Sequence, residues 1–224
     1  MTLQEQLDSF KADFSSGKPP FNVPAHVYAQ MEKATQELID SGAAGRALKV
    51  GDQAPEFTLT DSAGDPVSSA ALLARGPLIV SFYRGVWCPY CNLDLQALQA
   101  ALPSFEELGA SLVAISPQTP VNSRRSAKQN ELRFPILSDP GNGIGAAFGL
   151  RFTLPDYLID IYRANQIDLA AFNQDDSGTL SMPARFVISQ DGVIRYAEVN
   201  PDYTQRPEPE EVLPELKRWA PATR

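Results

Sequence analysis

The two cysteines of the chain lie three residues apart, directly after an apolar run that has the length of a buried strand. The run covers residues 78–83, and the pair is Cys88 and Cys91, separated by Pro89 and Tyr90. A strand that leads into a Cys-x-x-Cys pair at the start of a helix places a reactive thiol beside a partner thiol. We therefore interpret the chain as a redox protein that uses sulfur chemistry.

The expected helix start explains how one of these thiols could be activated. The N-terminus of a helix presents free N–H groups and a partial positive charge, which favour a thiolate over a thiol. Pro89 is well placed for the first helical position, where the missing N–H costs nothing. Residues three apart near a helix start share a face, so the second sulfur can reach the first and close a disulfide. Which sulfur attacks first stays open.

Composition and charge narrow the class of protein. The chain has 224 residues, of which 43% are hydrophobic, enough for one domain with appendages. A net charge of −8 argues against nucleic acid or an anionic membrane as a partner. The N-terminal residues lack the pattern of a signal peptide, and no apolar run has the length of a membrane span. We expect a soluble cytoplasmic protein, in which a close cysteine pair is more often catalytic or metal-binding than a structural crosslink.

A structural zinc site is the main alternative for the pair. Such a site needs about four ligands, and this chain offers two cysteines and the single distant histidine His26. A purely structural disulfide would close a very small loop and gain little chain entropy. We therefore expect no metal and no cofactor apart from the cysteine pair itself.

The order of predicted elements indicates an α/β fold with a helical N-terminal extension. Residues 1–47 are predicted to form two helices, broken near residues 15–20. Residues 48–224 are predicted to form a separate domain of alternating strands and helices. Its predicted strands cover residues 57–59, 78–83, 111–116, 135–137, 185–189 and 193–199. Its predicted helices cover residues 89–101 (ended by Pro103), 121–132, 142–148, 157–165 and 209–219.

Four segments resemble the alkyl hydroperoxide reductase / thiol-specific antioxidant family, the peroxiredoxins. The segments are residues 50–59, 81–91, 134–150 and 185–195. They occur in the family's order and span roughly residues 48–220. The resemblance implies a thioredoxin fold, in which a central mixed sheet is flanked by helices. The motif Trp-Cys-Pro-x-Cys resembles that of a peroxiredoxin-like subgroup.

The chain departs from the family pattern at the site itself. The family's Pro-x-x-x-Thr/Ser-x-x-Cys motif would place Cys91 at the peroxidatic position, with Cys88 in place of Thr/Ser and Arg84 in place of Pro. The family's active-site arginine lies three residues before the phenylalanine of a late strand, and that position is Pro183 here. A proline there resembles the cis-proline of thioredoxins, which faces the cysteine pair. Thioredoxin-type use would make Cys88 the attacking thiol, and peroxidase-type use would make it Cys91.

Three further residues are candidates for binding substrate or stabilising the thiolate. Arg84 precedes the cysteines closely enough to stabilise an anion, although it could instead be solvated or paired with a carboxylate. Trp87 could shield the sulfur and offer a partner an apolar surface, or simply pack. Arg185 alternates with its strand neighbour, so it could lie near the site or point to solvent.

The favoured function is a thiol-dependent peroxidase that reduces hydrogen peroxide or organic hydroperoxides. The resemblance implies recycling by a thioredoxin- or glutathione-type thiol donor, and we expect a homodimer. One alternative is a thiol–disulfide oxidoreductase that acts on protein disulfides. Another is a redox-sensing dimerisation module in which the disulfide changes an interface.

Overall fold

The fold is built on a mixed sheet whose strands alternate with helices along the chain. The computed structural model describes residues 1–219; residues 220–224, the end of the predicted second domain, lie outside the described part. Within residues 1–219 the strands are β1 (Thr58–Asp61), β2 (Pro66–Ser68), β3 (Leu78–Phe82), β4 (Ser111–Ser116), β5 (Ile136–Ser138), β6 (Arg151–Thr153), β7 (Thr179–Ser181), β8 (Ala184–Ile188) and β9 (Ile194–Val199).

The helices precede, follow and connect these strands. In the same described part they are α1 (Leu3–Ser15), α2 (Ala25–Asp40), α3 (Ser69–Leu73), α4 (Pro89–Glu107), α5 (Pro120–Gln129), α6 (Gly143–Ala147), α7 (Asp156–Ala164), α8 (Leu169–Asn173) and α9 (Leu213–Trp219). Short 3₁₀ turns cover Ala43–Arg46, Pro140–Asn142 and Pro209–Val212. The two helices predicted for the N-terminal extension are confirmed, as are those predicted near residues 89, 121, 142, 157 and 209.

The central strand β3 leads directly to the two cysteines. The main sheet has the order β2-β1-β5-β4-β3-β8-β9, and β6 pairs with β7 in a separate two-stranded sheet. β3 pairs in parallel with β4 and antiparallel with β8. All five residues of β3 are buried because layers of side chains cover both faces of the sheet. The predicted mixed sheet and its closing β8–β9 hairpin are confirmed.

Alternation along the strands assigns side chains to the two faces. Ile79 of β3 and Val187 of β8 belong to the core that contains α4 and both cysteines. Val80 and Phe186 belong to the core on the opposite face. Because side chains two apart share a face, Arg185 lies on the same side as Val187, which is the side of α4. Strand geometry thus places a charged side chain under the active-site helix.

The helix α1 packs against α4 and shares its core. Leu3 and Leu7 are buried in the cluster that contains the cysteines. A capping box formed by Thr2 and Glu5 begins the helix. The backbone N–H of Leu3 also donates to the Glu208 carboxylate, at 3.0 Å. The N-terminal extension is therefore tied both to the active-site helix and to the segment that follows β9.

The predicted end of α4 at Pro103 is wrong, because the helix continues to Glu107 with Pro103 inside it. Leu102 and Phe105 are buried on either side of the proline. Their burial keeps the helix on the sheet and outweighs the hydrogen bond that proline cannot make. The short elements β2, α3, β6, β7 and α8 were not predicted, since three to five residues carry too little periodicity to recognise.

No helix within residues 1–219 is both long enough and apolar enough to cross a membrane.

The burial of Leu7 predicts that α1 contributes to the stability of the whole fold. We expect Leu7→Ala to lower the free energy of unfolding by about 2–5 kcal/mol, the usual range for emptying a filled core position. Ile39→Ala, at an exposed position of α2, is the matched control and should change it by less than about 0.5 kcal/mol. Urea unfolding followed by circular dichroism measures both. Equal effects of the two variants would contradict the shared core.

Candidate active site

The two cysteines occupy the first turn of α4. Cys88 is the N-cap, Pro89 is the first helical residue, and Cys91 is the third. The Cys88 sulfur accepts the backbone N–H of Cys91 at 3.4 Å, as an N-cap side chain does. Both thiols are free and buried, and their sulfur atoms lie 2.6 Å apart. The predicted helix start is confirmed, and the sulfurs are close enough to form a disulfide after a small movement.

The loop that presents the cysteines is held by hydrogen bonds on both sides of Val86. Its N–H donates to the Gln118 side chain at 3.0 Å, and its carbonyl accepts from the Asn92 side chain at 2.9 Å. Gly85 has a φ of 153°, and a Cβ at this position would lie 2.5 Å from the Trp87 indole nitrogen. Only glycine allows the indole to lie against the backbone there.

Arg206 is a cation in contact with a sulfur, and sequence reasoning missed it. Its Nη2 lies 3.5 Å from the Cys91 sulfur, and the side chain is buried. The backbone N–H of Arg206 donates to Gln4 of α1 at 3.1 Å, and its Nη1 donates to the Tyr203 carbonyl at 2.7 Å. The segment after β9 has no periodic pattern, so nothing in the sequence indicated where this side chain would point.

An ion pair beneath the sulfurs orients Arg206. Asp94, one turn along α4 from Cys91, accepts from Nη2 of Arg185 at 2.5 Å. Its other oxygen lies 3.4 Å from Nε of Arg206. Arg185 also donates to the Pro207 carbonyl at 3.0 Å, next to Arg206. Of the two orientations considered for Arg185, the solvent-facing one is wrong: the side chain is buried and holds Asp94 and the loop that carries Arg206.

Arg84 is a second buried cation, enclosed by aromatic rings. Its side chain is 3% exposed, and its guanidinium carbon lies 4.1 Å from the ring centre of Tyr203 and 4.9 Å from that of Trp87. It also donates a hydrogen bond to the Tyr162 hydroxyl. Within residues 1–219, no carboxylate lies within the 4 Å of an ion pair with Arg84. The solvated alternative for this residue is therefore wrong, and a thiolate is the anion available to it.

The electrostatics of the site favour a thiolate on Cys91. Burial by itself raises the pKa of Cys91, but the hydrogen bond with Cys88 and the cations Arg206 and Arg84 lower it to about 6. The pKa of Cys88 is raised well above its ordinary value, first by burial and then by its contact with Cys91. At neutral pH these pKa values favour one negative charge on the pair, located on the Cys91 sulfur.

Trp87 and Pro183 line two different cavities, and Arg84 lines both. Trp87 is half-buried and packs against Tyr162, with ring centres 5.4 Å apart. Pro183 and Arg84 both line an open cleft of about 470 Å³. The expected cis-proline is wrong, because the only cis bond within residues 1–219 is Pro19–Pro20. The chain runs extended from β7 into β8, where the N–H of Met182 donates to Leu150 and the Pro183 carbonyl accepts from Asn200.

Within the described part of the chain, no group of three or more His, Cys, Asp or Glu side chains is arranged to hold a metal ion. His26 is exposed on α2.

A vicinal thiol pair at a helix N-terminus, on a mixed sheet and beside buried cations, defines a redox protein of the thioredoxin-fold class. The family model for the AhpC/TSA family matches residues 50–197. The putative peroxiredoxin Rv1608c of Mycobacterium tuberculosis is 34% identical over 119 residues, which cover 52% of this chain and 75% of that protein. The thiol-disulfide oxidoreductase ResA of Bacillus cereus is 26% identical over 114 residues, 50% of this chain and 65% of that protein.

A solved structure agrees with the fold. The peroxidoxin BcpB of Mycobacterium tuberculosis superposes with a TM-score of 0.60 at 21% identity, covering 79% of this chain and 99% of that one. The chain belongs to the AhpC/TSA family, and its fold is the thioredoxin fold predicted from the sequence. The predicted enzyme class, an oxidoreductase of the thiol peroxidase type, is confirmed with the family.

The lowered pKa of Cys91 predicts a thiol that ionises at a lower pH than the thiol of a free cysteine. In Cys88→Ser, only Cys91 titrates and the serine hydroxyl can replace the hydrogen bond from Cys88, so the thiolate absorbance at 240 nm should rise with a midpoint below the ordinary cysteine pKa. Adding Arg206→Gln should move the midpoint up by about 1–3 pH units, the effect of removing a neighbouring opposite charge.

Arg218→Gln is the matched control for that titration. Arg218 is exposed on α9 and pairs with Glu215 rather than with the site, so the midpoint should not move. An unchanged midpoint in the Arg206 variant would show that this guanidinium does not stabilise the thiolate.

Proposed function

We propose that this protein reduces peroxides with Cys91 as the attacking thiolate and Cys88 as the resolving thiol. The observation that carries the proposal is the Cys91 sulfur, which lies 3.5 Å from Arg206 and 2.6 Å from the Cys88 sulfur. The first contact favours the anion that attacks, and the second places the group that completes the reaction. Cys91 also occupies the position of the family's peroxidatic cysteine.

In the first step, the Cys91 thiolate attacks the terminal oxygen of the hydroperoxide. A sulfur–oxygen bond forms, the O–O bond breaks, and the remaining oxygen leaves as an alkoxide or hydroxide. The leaving oxygen takes up a proton and departs as an alcohol or water, while the sulfur is oxidised to a sulfenic acid. The guanidinium groups of Arg84 and Arg206 stabilise the negative charge that moves from sulfur to the leaving oxygen.

In the second step, Cys88 resolves the sulfenic acid. Its sulfur attacks the Cys91 sulfur, the S–O bond breaks, and the hydroxyl leaves with the thiol proton as water. The product is the Cys88–Cys91 disulfide. A thioredoxin- or glutathione-type thiol donor then supplies two electrons and two protons, which restores both thiols.

The three departures from the family pattern fit this assignment. Cys88 replaces the family's Thr/Ser and brings the resolving thiol into the same helical turn. The arginine that the family places where this chain has Pro183 has a substitute in Arg206, which approaches Cys91 from the segment after β9. Arg84 supplies a second cation within the active-site loop.

Several finer assignments belong to the same proposal. We propose that the cysteine pair is the sole redox centre, that hydrogen peroxide and organic hydroperoxides are the substrates, and that the enzyme acts in the cytoplasm as a homodimer. The net charge of −8 supports the absence of nucleic acid and membrane partners.

The thiol–disulfide oxidoreductase remains an alternative hypothesis, and so does the redox-sensing module. The ResA relative favours the oxidoreductase. The trans bond at Pro183 argues against it, because a cis-proline at this position was the expected site for docking a protein disulfide. Insulin reduction in excess dithiol tests the oxidoreductase. Sizing of the oxidised and reduced forms tests the module.

Stopped-flow kinetics with single-cysteine variants tests the assignment of roles. The reduced wild type should consume hydrogen peroxide at least about 100-fold faster than free cysteine, as expected of electrostatic stabilisation in a buried site. Cys88→Ser should retain one fast turnover and accumulate a sulfenic acid that dimedone traps on Cys91. Cys91→Ser should lose the fast phase.

The matched pair of variants makes the result decisive. If Cys91→Ser keeps the fast phase and Cys88→Ser loses it, the roles are reversed. If the wild type reacts no faster than free cysteine, the peroxidase proposal fails.

A further inference from the structure

A partly open apolar cavity lies between the N-terminal extension and the active site. Its volume is about 180 Å³. One wall comes from the loop and helix of the cysteines, and another comes from residues before the part matched by the family model. That second wall consists of Phe10, Phe14, Phe21, Val23, Val27 and Met31.

The size and lining of the cavity indicate what it can hold. An engineered apolar cavity of about 150 Å³ binds benzene. A cavity of about 180 Å³ therefore has room for one substituted phenyl ring or a compact branched alkyl group, but not for an extended acyl chain. Aromatic and aliphatic walls favour such a neutral group and gain nothing from hydrogen peroxide itself.

The inner end of the cavity is polar and lies at the reacting sulfurs. Cys88 and Arg84 both line it, and the Cys91 sulfur lies 2.6 Å behind that of Cys88. Arg84 is 97% buried, and its Nε has no hydrogen-bond partner within residues 1–219. Buried donors of this kind normally meet an acceptor, so the inner end is suited to an oxygen-bearing group.

We propose that the N-terminal extension completes a substrate pocket for hydroperoxides with a compact aryl or branched alkyl group. The organic group fills the space under Phe10, Phe14 and Val27, and the hydroperoxyl group lies at Arg84 and the cysteines. The inference rests on the proposed peroxidase function and adds a size and shape to its substrate. It also gives residues 1–47 a direct part in the reaction.

The outer rim shows where such a molecule enters. Phe21 and Asn165 line the cavity and are exposed, whereas Tyr162 and Cys88 at its base are buried. Substrate thus passes between the segment joining α1 to α2 and the end of α7. The path leads from solvent to the sulfurs without crossing the sheet.

Binding can be measured without any reaction, using 2-phenylpropan-2-ol, the alcohol product of cumene hydroperoxide. Trp87 lines the cavity, and Trp219 is the only other tryptophan. In a Trp219→Phe background, fluorescence of the reduced protein reports Trp87 alone. We expect a saturable change in this fluorescence as the alcohol is added.

The variant Val27→Phe fills the cavity from α2. It should weaken binding of the alcohol at least 10-fold and lower the ratio of kcat/KM for cumene hydroperoxide to that for hydrogen peroxide by a similar factor. Ile39→Phe adds the same ring on α2 outside the cavity and should leave both quantities unchanged. Circular dichroism of both variants shows whether they fold. If Val27→Phe does not fold, Met31→Phe adds volume to the same cavity wall and replaces it.

The outcomes separate this inference from the proposed function. Absence of a saturable signal, or equal binding by the Val27 and Ile39 variants, would overturn the pocket. An unchanged kcat/KM ratio in a folded Val27→Phe would overturn it as well, even if both peroxides are reduced rapidly. Binding of the alcohol by a protein that reduces no peroxide would overturn the proposed function, and with it the identity of the substrate.

Discussion

The buried charges around Cys91 are the constraint on which the rest of the site depends. Arg185 and Arg206 share the carboxylate of Asp94, while Arg84 is enclosed by aromatic rings. Two of these three guanidinium groups therefore share one carboxylate, and Arg84 has none within 4 Å in the described part of the chain. A buried cation without a counter-charge is costly, and a thiolate is the anion that the site can generate for itself. An excess of buried positive charge would destabilise a core without ionisable thiols, whereas here it favours the thiolate form of the cysteine.

This arrangement makes the N-terminal extension part of the active-site structure. Gln4 accepts the backbone N–H of Arg206, and the Glu208 carboxylate accepts those of Leu3 and Gln4. The helix α1 thereby holds the segment that carries the cation in contact with Cys91. Its aromatic residues also cover the cavity next to Cys88. One helix outside the part matched by the family model thus contributes to both the charge and the shape of the site.

How much of this could be predicted from the sequence depends on the range of the interactions involved. The strand β3, the helix start at Pro89 and the proximity of the two sulfurs follow from local patterns, and the sequence predicted them. The position of Arg206 could not be predicted, because contacts with Gln4 and Asp94, more than 100 residues away in the chain, place it. Pro183 was misjudged for a similar reason: its geometry is set by pairing on both sides of the extended chain, whereas its identity alone suggested a cis bond.

The electrostatics also bear on how the oxidised enzyme is recycled. The reduced pair carries one negative charge beside Arg84 and Arg206, whereas the Cys88–Cys91 disulfide carries none. Oxidation therefore removes the anion that these buried cations stabilise, so the cations stabilise the reduced form relative to the disulfide. In thiol–disulfide couples, stabilisation of the reduced form makes the disulfide a stronger oxidant. In the proposed mechanism, the charge that prepares Cys91 to attack a peroxide thus also favours reduction of the resulting disulfide by an external thiol donor.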